Sequence, residues 1–134
     1  MIIEITKDNL DELDNSFIDR EYLEREFESN PYAKVLVFKE KGKVVGYIYY
    51  SDIYERVEVN QFEVIPTRRN MGYGSDLFKE FVDRTKKDIT LEVREGNIPA
   101  LRIYKKNGFI KTAIREKYYS GIDGILMERK DSSK

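Results

Sequence analysis

The spacing of apolar and polar residues changes period twice in the middle of the chain, and each change marks a new element. Residues 57–64 alternate with the period of two that is typical of a β-strand. Residues 75–86 place apolar side chains three and four positions apart, which is the spacing of a helix with one buried face. Residues 89–93 alternate again. The pattern therefore predicts strand, helix and strand in succession.

The flanking regions predict shorter elements that complete one domain. Residues rich in β-branched and aromatic side chains predict a hairpin of strands 35–38 and 44–54, with a turn at Lys41-Gly42. The other predictions are strands at 2–5, 109–115 and 124–127, helices at 7–13 and 20–27, a loop at 117–121 and a disordered tail at 129–134. Together they indicate a single α/β (α+β) domain over residues 1–134, with a mixed, mostly antiparallel central sheet flanked by helices.

One irregularity interrupts the strand predicted at residues 57–64. Its apolar positions are Val57 and Val59 and then Phe62 and Val64, a step of three where two is expected. One inserted residue near positions 60–61 explains the step, so we expect a β-bulge there. An irregularity in a strand at the edge of the sheet, with no role in function, would give the same pattern.

Composition excludes several classes of protein. A chain of 134 residues is long enough for one domain that buries about two-thirds of its unfolded surface. Lys and Arg total 24 against 25 Asp and Glu, so no basic field marks a nucleic-acid partner. The chain has neither an apolar run long enough to span a membrane nor the pattern of a secretory signal. We therefore expect a cytoplasmic protein without a membrane partner.

The absence of Cys and His narrows the chemistry further. It excludes disulfides, thiolate or imidazole metal sites, and nucleophile–base pairs built on these residues. Acid–base chemistry must then use Glu, Asp, Tyr, Lys or the backbone, and we expect no metal.

The loop between the first central strand and the helix carries a motif, Arg-x-x-Gly-x-Gly, at Arg69, Gly72 and Gly74. Glycines let a backbone approach a ligand, and the N–H groups and dipole of a helix N-terminus favour phosphate oxygens. A P-loop would need Lys where Ser75 stands, and a dinucleotide fingerprint would need Gly or Ala where Leu77 stands. The loop therefore predicts an anion site of another kind, or only a tight strand-to-helix turn.

A second pattern follows over residues 91–109, which read as strand, turn, helix and stop. Its informative positions are Asn97, Pro99, Ala100, Tyr104, Gly108 and Phe109. Together with the glycine loop, this pattern resembles the GNAT superfamily of acyl-CoA-dependent N-acetyltransferases, over roughly residues 35–129. The stretch 91–119 is most similar to the branch that acetylates the N-terminal alanine of ribosomal proteins.

The resemblance implies acetyl-CoA as the acyl donor and assigns residues to it. The loop residues that would hold the pyrophosphate through backbone N–H groups are Asn70, Met71, Gly72, Tyr73, Gly74 and Ser75. Arg69 would add charge at the rim, and Asn97 would contact the donor or only cap its helix. The strand backbone at Phe62, Glu63 and Val64 would face the pantetheine and acetyl groups, with an N–H at or near Val64 polarising the carbonyl.

The resemblance also implies a base and an acid. Glu92 stands where this branch keeps its proton acceptor, and Glu63 is the rival base because other branches draw one from that strand. Tyr104 stands where the family has the tyrosine that returns a proton to the leaving thiolate, and an ordinary tyrosine pKa near 10 suits that task. The alternative for Tyr104 is packing in the core.

Two adjacent tyrosines bear on the identity of the acceptor. Tyr118 and Tyr119 resemble the paired tyrosines that line the peptide groove of N-terminal acetyltransferases. The branch usually continues into a longer loop with Glu-Asp-Ala, whereas this chain has Ile-Asp-Gly at 122–124. The sequence therefore predicts a protein N-terminal amine as acceptor and leaves open a small amine, or a catalytically silent acyl-CoA-binding domain.

Overall fold

The computed structural model describes residues 1–131; residues 132–134 of the predicted tail, and the side chain of Tyr118, lie outside the described part. The strands are β1 (Ile2–Ile5), β2 (Ala33–Glu40), β3 (Lys43–Ile53), β4 (Arg56–Val64), β5 (Asp88–Arg94), β6 (Ile110–Tyr119) and β7 (Ile122–Arg129). The α-helices are α1 (Arg20–Ser29), α2 (Tyr73–Arg84) and α3 (Ile98–Lys106). Within this part, the strands form one sheet in the order β1-β2-β3-β4-β5-β7-β6, and every pairing except β4 with β5 is antiparallel. The predicted mixed, mostly antiparallel sheet is confirmed.

Helices pack on both faces of the sheet. On one face, α2 buries Leu77, Phe78 and Phe81 completely, and α3 adds to the same core; we call this the α2–α3 face. On the other, α1 and a 3₁₀ turn pack over β1 to β3, and we call this the α1 face. Successive residues of β4 and β5 therefore point to opposite sides of the domain. Among residues 1–131, no helix combines the length and apolar composition needed to span a membrane.

The sheet opens between β4 and β5. These parallel neighbours pair only at their first residues, from Arg56 with Asp88 to Glu58 with Thr90. Beyond that point β4 continues to Val64 and β5 to Arg94 without a shared ladder. The divergence leaves a V-shaped cleft, with one edge of β4 free of its neighbour.

The predicted β-bulge is confirmed in β4. Tyr49 pairs with Gln61 and Tyr50 pairs with Val59, so Asn60 is the extra residue. Its side-chain Nδ2 donates to Ser51 Oγ at 2.8 Å, which fixes the bulge to β3. The bulge shifts the phase of the strand so that both Phe62 and Val57 reach the α2–α3 core.

Two local predictions were wrong. The helix expected at residues 7–13 is only a 3₁₀ turn at Leu10–Leu13, because Asn9 has a non-helical backbone (φ −130°, ψ 30°) and its side chain bonds back to the Glu4 carbonyl and the Thr6 N–H. The loop expected at 117–121 is mostly strand, since β6 runs through Tyr119. The turn needs only Ser120 and Gly121, both with positive φ (49° and 94°), as a two-residue hairpin requires.

The remaining boundaries moved by small amounts. β7 ends at Arg129, where the tail was expected to begin, and Arg129 Nε donates to the Asn107 carbonyl at 3.0 Å. The helix expected at 75–86 begins two residues earlier, at Tyr73. The strand expected at 35–38 is longer, at Ala33–Glu40, and the strand expected at 44–54 is shifted by one residue, to Lys43–Ile53.

Candidate active site

The free edge of β4 presents backbone N–H groups to the cleft. Ile65 N–H donates to the Val45 carbonyl at 2.8 Å, which fixes the direction of the ladder with β3. In an antiparallel ladder the direction alternates at each residue, so the N–H groups of Phe62 and Val64 point away from β3 and into the cleft. Two donors spaced along one edge can bind carbonyl oxygens of an extended ligand and polarise one of them.

The glycine loop lies beside this edge, at the start of α2. Gly72 is the N-cap with a φ of 86°, a conformation that favours glycine, and no side chain caps the helix. A Cβ on Gly74 would lie 3.1 Å from Val64 Cγ2 and 3.5 Å from Phe62 Cζ, so glycine lets α2 approach β4 closely without displacing the Val64 side chain. The first-turn N–H groups of α2 have no acceptor within the helix and face outward. The two glycines thus serve separate purposes, turn and close approach.

Some of the other loop residues anchor the loop to the rest of the domain, and others are exposed to solvent. Arg69 Nε donates to the Val64 carbonyl at 3.1 Å, which ties the loop to the end of β4. Asn70 has a positive φ of 65°, and the side chain of Met71 is exposed. The ring of Tyr73 turns away to pack on Phe38, with 5.2 Å between the ring centres. The backbone of this segment, rather than its side chains, is therefore available to a ligand.

Tyr104 lies on the α2–α3 face beside the cleft. It is 6% exposed, and its ring centre lies 5.1 Å from that of Phe78 and 6.3 Å from that of Phe62. Burial raises the pKa of Tyr104 well above the ordinary value expected from the sequence. The hydroxyl therefore stays protonated at neutral pH, and it is a weaker acid than the ordinary tyrosine expected from the sequence.

Glu92 lies on the α1 face of β5, opposite the side of Tyr104. Its side chain is 18% exposed, and Oε1 lies 3.1 Å from Arg115 Nη2 on β6. Its other oxygen, Oε2, is buried and makes no hydrogen bond in the described part of the chain. The carboxylate therefore leans across β7 toward β6. The sequence did not indicate this ion pair.

Glu63 shares the α1 face with Glu92, on the other diverging strand. It is exposed and lies next to Tyr47, whose pKa is raised by burial and additionally by the Glu63 charge. The Tyr47 hydroxyl donates to Gln61 Oε1 at 2.6 Å, and the Phe17 ring packs 5.9 Å away. These three neighbours were not predicted, because their approach depends on the register of β3 with β4.

Asn97 follows the C-terminal end of β5, and the tyrosine pair lies at the C-terminal end of β6. Asn97 is the N-cap of α3, and its Oδ1 accepts from the Ala100 N–H at 3.3 Å, so capping explains the residue. Tyr119 lies on the same face as Glu92, and the Arg94 guanidinium sits 5.2 Å from its ring centre. The structure thus groups Tyr119 with Glu92. It does not describe the side chain of Tyr118.

Comparison with known proteins assigns the family. Residues 2–109 match the model of the acetyltransferase (GNAT) family. A Bacillus subtilis (strain 168) protein, provisionally named a ribosomal protein bS18-alanine N-acetyltransferase, is 35% identical over 73% of this chain and 69% of its own length.

Solved structures agree on the fold. The ribosomal-protein-S18-alanine N-acetyltransferase of Escherichia coli superposes with a TM-score of 0.82 and 20% identity, over 98% of this chain and 94% of that one. A GNAT family acetyltransferase of Elizabethkingia anophelis with acetyl-CoA bound superposes with a TM-score of 0.75 and 18% identity, over 97% of each chain. On the family match, the chain belongs to the GNAT family and is an N-acetyltransferase.

Proposed function

We propose that this enzyme transfers the acetyl group of acetyl-CoA to the α-amine of a protein N-terminus, of the ribosomal-protein alanine type. The observation that carries the proposal is the cleft between β4 and β5, with backbone donors on one edge and Glu92 and Tyr104 on opposite faces of the sheet. We further propose that residues 1–134 act as one catalytic domain. We place the reaction in the cytoplasm, where acetyl-CoA and ribosomal proteins meet.

The donor site fits acetyl-CoA in shape and charge. The pyrophosphate would lie on the backbone of residues 70–75, where Gly72 forms the turn and the N-terminus of α2 supplies unpaired N–H groups. Arg69 would hold the loop and add charge at its rim. The N–H groups of Phe62 and Val64 would face the pantetheine arm, and Glu63 lies between them. Asn97 would contact the donor through its amide, since its Oδ1 is used for capping.

The transfer itself needs three proton and charge movements. The acetyl thioester supplies an electrophilic carbonyl, and the Val64 N–H is placed to stabilise negative charge on its oxygen. Glu92 accepts the proton that the acceptor amine must lose. Tyr104 donates a proton to the departing thiolate.

The surroundings of Glu92 favour a peptide over a polycation as acceptor. A pocket for a polyamine needs several unpaired carboxylates, whereas Glu92 is paired with Arg115 and Arg94 covers the Tyr119 ring. The surface around Glu92 thus carries positive charge from Arg94 and Arg115. A peptide N-terminus presents one amine beside a neutral backbone, and Tyr118 and Tyr119 are the residues that we propose to line its groove.

Proton donation by Tyr104 gives a prediction for Tyr104→Phe. The ring should still pack against Phe78, so the variant should fold, while the chemical step slows because the donor hydroxyl is lost. A proton donor matters less when the thiolate leaves easily. We therefore expect an activated thioester donor to narrow the difference in kcat between the wild type and the variant. A difference that stays constant across thioesters of different leaving-group pKa would assign Tyr104 to packing alone.

The substrate assignment is tested with two panels of acceptors under the same conditions. One panel contains peptides with free α-amines, including sequences that begin with alanine, and the other contains polyamines, amino acids and aminoglycosides. We expect acetylation, read by mass, of the peptide panel at higher kcat/KM. Turnover confined to the small amines would show that the acceptor is a small amine and not a protein N-terminus. Binding of acetyl-CoA without turnover on either panel would indicate a catalytically silent binding domain.

A further inference from the structure

The Glu92 side chain crosses a neighbouring strand to reach its partner. In the sheet, Glu92 is opposite Leu126 on β7, while Gly124 of β7 lies in register with Arg94 on one side and Arg115 on the other. All five residues belong to the same face of the sheet. The carboxylate passes diagonally over Gly124 and meets Arg115 on the strand beyond, with 3.1 Å between Oε1 and Nη2. An ion pair that spans an intervening strand needs space above that strand at the crossing point.

Gly124 supplies the necessary space. A Cβ at this position would lie 2.5 Å from Glu92 Oε2, 3.2 Å from Glu92 Cδ and 3.2 Å from Tyr119 Cε2. Its φ is not in the left-handed region, in contrast to Gly121 and Gly108, so the backbone does not require glycine here. Gly124 is therefore explained by the Glu92 carboxylate, which occupies the space that a side chain at position 124 would fill.

This arrangement costs stability. Glu92 Oε2 is buried without a hydrogen-bond partner in the described part of the chain, and a buried polar atom left unpaired is unfavourable. An alanine at position 124 would leave the carboxylate to move toward water, where it would be fully hydrated. A carboxylate held in an unfavourable position, in a niche opened by a glycine and paired with an arginine, is typical of a functional site.

We infer that Arg115 and Gly124 are positioning residues that hold Glu92 in the orientation in which it accepts the proton of the acceptor amine. The inference rests on the role of Glu92 proposed above. Arg115 fixes Glu92 Oε1, and Gly124 leaves space for Glu92 Oε2. The neighbouring Arg94 has a different contact, since it covers the Tyr119 ring. Neither Arg115 nor Gly124 needs to touch the substrate.

A double-mutant cycle tests the inference. Arg115→Gln should lower kcat, by up to about 10²-fold for a misplaced catalytic group, with the KM for acetyl-CoA unchanged. Arg115→Lys should restore part of the loss because the positive charge returns. In the Glu92→Gln background, Arg115→Gln should cause no further loss, since a residue that acts through Glu92 has nothing left to position.

Two further variants complete the design. Gly124→Ala should reproduce the kcat loss of Arg115→Gln while its thermal unfolding shows a folded domain, because its φ is accessible to alanine. Arg56→Gln is the matched control. Arg56 is also a half-exposed strand arginine in an ion pair, 2.7 Å from Glu58, and this pair lies outside the proposed site. We expect that control to keep the wild-type kcat.

The outcomes separate this inference from the proposed function. If Glu92→Gln is inactive but Arg115→Gln and Gly124→Ala match the wild type, the positioning role is wrong and the base assignment stands. If the losses of Arg115→Gln and Glu92→Gln multiply in the double variant, Arg115 acts independently of Glu92 and the inference is overturned. If Glu92→Gln itself is fully active, the proposed base is wrong and the positioning role fails with it.

Discussion

Replacing Glu92 with glutamine is expected to lower kcat by roughly 10²–10⁴-fold at pH 7, the usual contribution of a general base. The amide has nearly the shape of the carboxylate and fits the space over Gly124, so the domain should fold. It cannot accept a proton from the acceptor amine. Since the donor loop lies at the start of α2 rather than on the face of Glu92, affinity for acetyl-CoA should be retained. Steady-state kinetics beside calorimetry of acetyl-CoA binding separates these two effects.

Glu63→Gln is the matched control for that measurement. Glu63 lies on the same face of the sheet, on the other strand that borders the cleft, and it is exposed. We expect this variant to keep most of the wild-type kcat, because its side chain is exposed, whereas that of Glu92 is held by Arg115. An inactive Glu63→Gln beside a fully active Glu92→Gln would move the base to β4.

Gly72→Asp is expected to abolish acetyl-CoA binding. The substitution places a carboxylate at the N-cap of α2, where the proposed pyrophosphate lies on unpaired N–H groups. The new side chain repels the phosphates and itself occupies the N–H groups, as aspartate commonly does at an N-cap. Isothermal calorimetry with acetyl-CoA measures the effect directly.

Two variants separate charge from backbone strain in this prediction. Gly72 has a φ of 86°, so Gly72→Ala introduces the same strain without the charge, and it should keep measurable affinity. Gly121 has a similar φ of 94° and open space around it, so Gly121→Asp introduces the charge and the strain at a distant hairpin. An affinity of Gly72→Asp equal to that of Gly121→Asp would remove the 70–75 loop from the donor site.

The features of the fold that were predictable are those encoded over short distances. The bulge at Asn60 followed from a slip in apolar period, and the glycine turn at Gly72 followed from residue type. The helix expected at 7–13 failed because the Asn9 side chain bonds back to the Glu4 carbonyl and the Thr6 N–H and Asn9 itself has a non-helical backbone. Periodicity does not detect that competition, since it depends on the conformation of individual polar side chains.

The site was predictable to the same extent. Glu92 and Tyr104 could be proposed from a motif, and the structure places them on opposite faces beside the cleft. The roles of Arg115 and Gly124 could not be proposed, because they depend on the registers of β5, β7 and β6, which bring Glu92 beside residues more than 20 positions later in the chain. The raised pKa of Tyr104 was also not predictable, since it results from the surrounding rings.

The central claim is that this chain moves an acetyl group from acetyl-CoA to an α-amine with Glu92 as the base. The most direct measurement is tandem mass spectrometry of a peptide that begins with alanine and contains an internal lysine, after incubation with acetyl-CoA and either the wild type or Glu92→Gln. We expect one acetyl group on the α-amine with the wild type and little or none with the variant. Acetylation of the lysine side chain instead, or equal α-amine acetylation by both proteins, would contradict it.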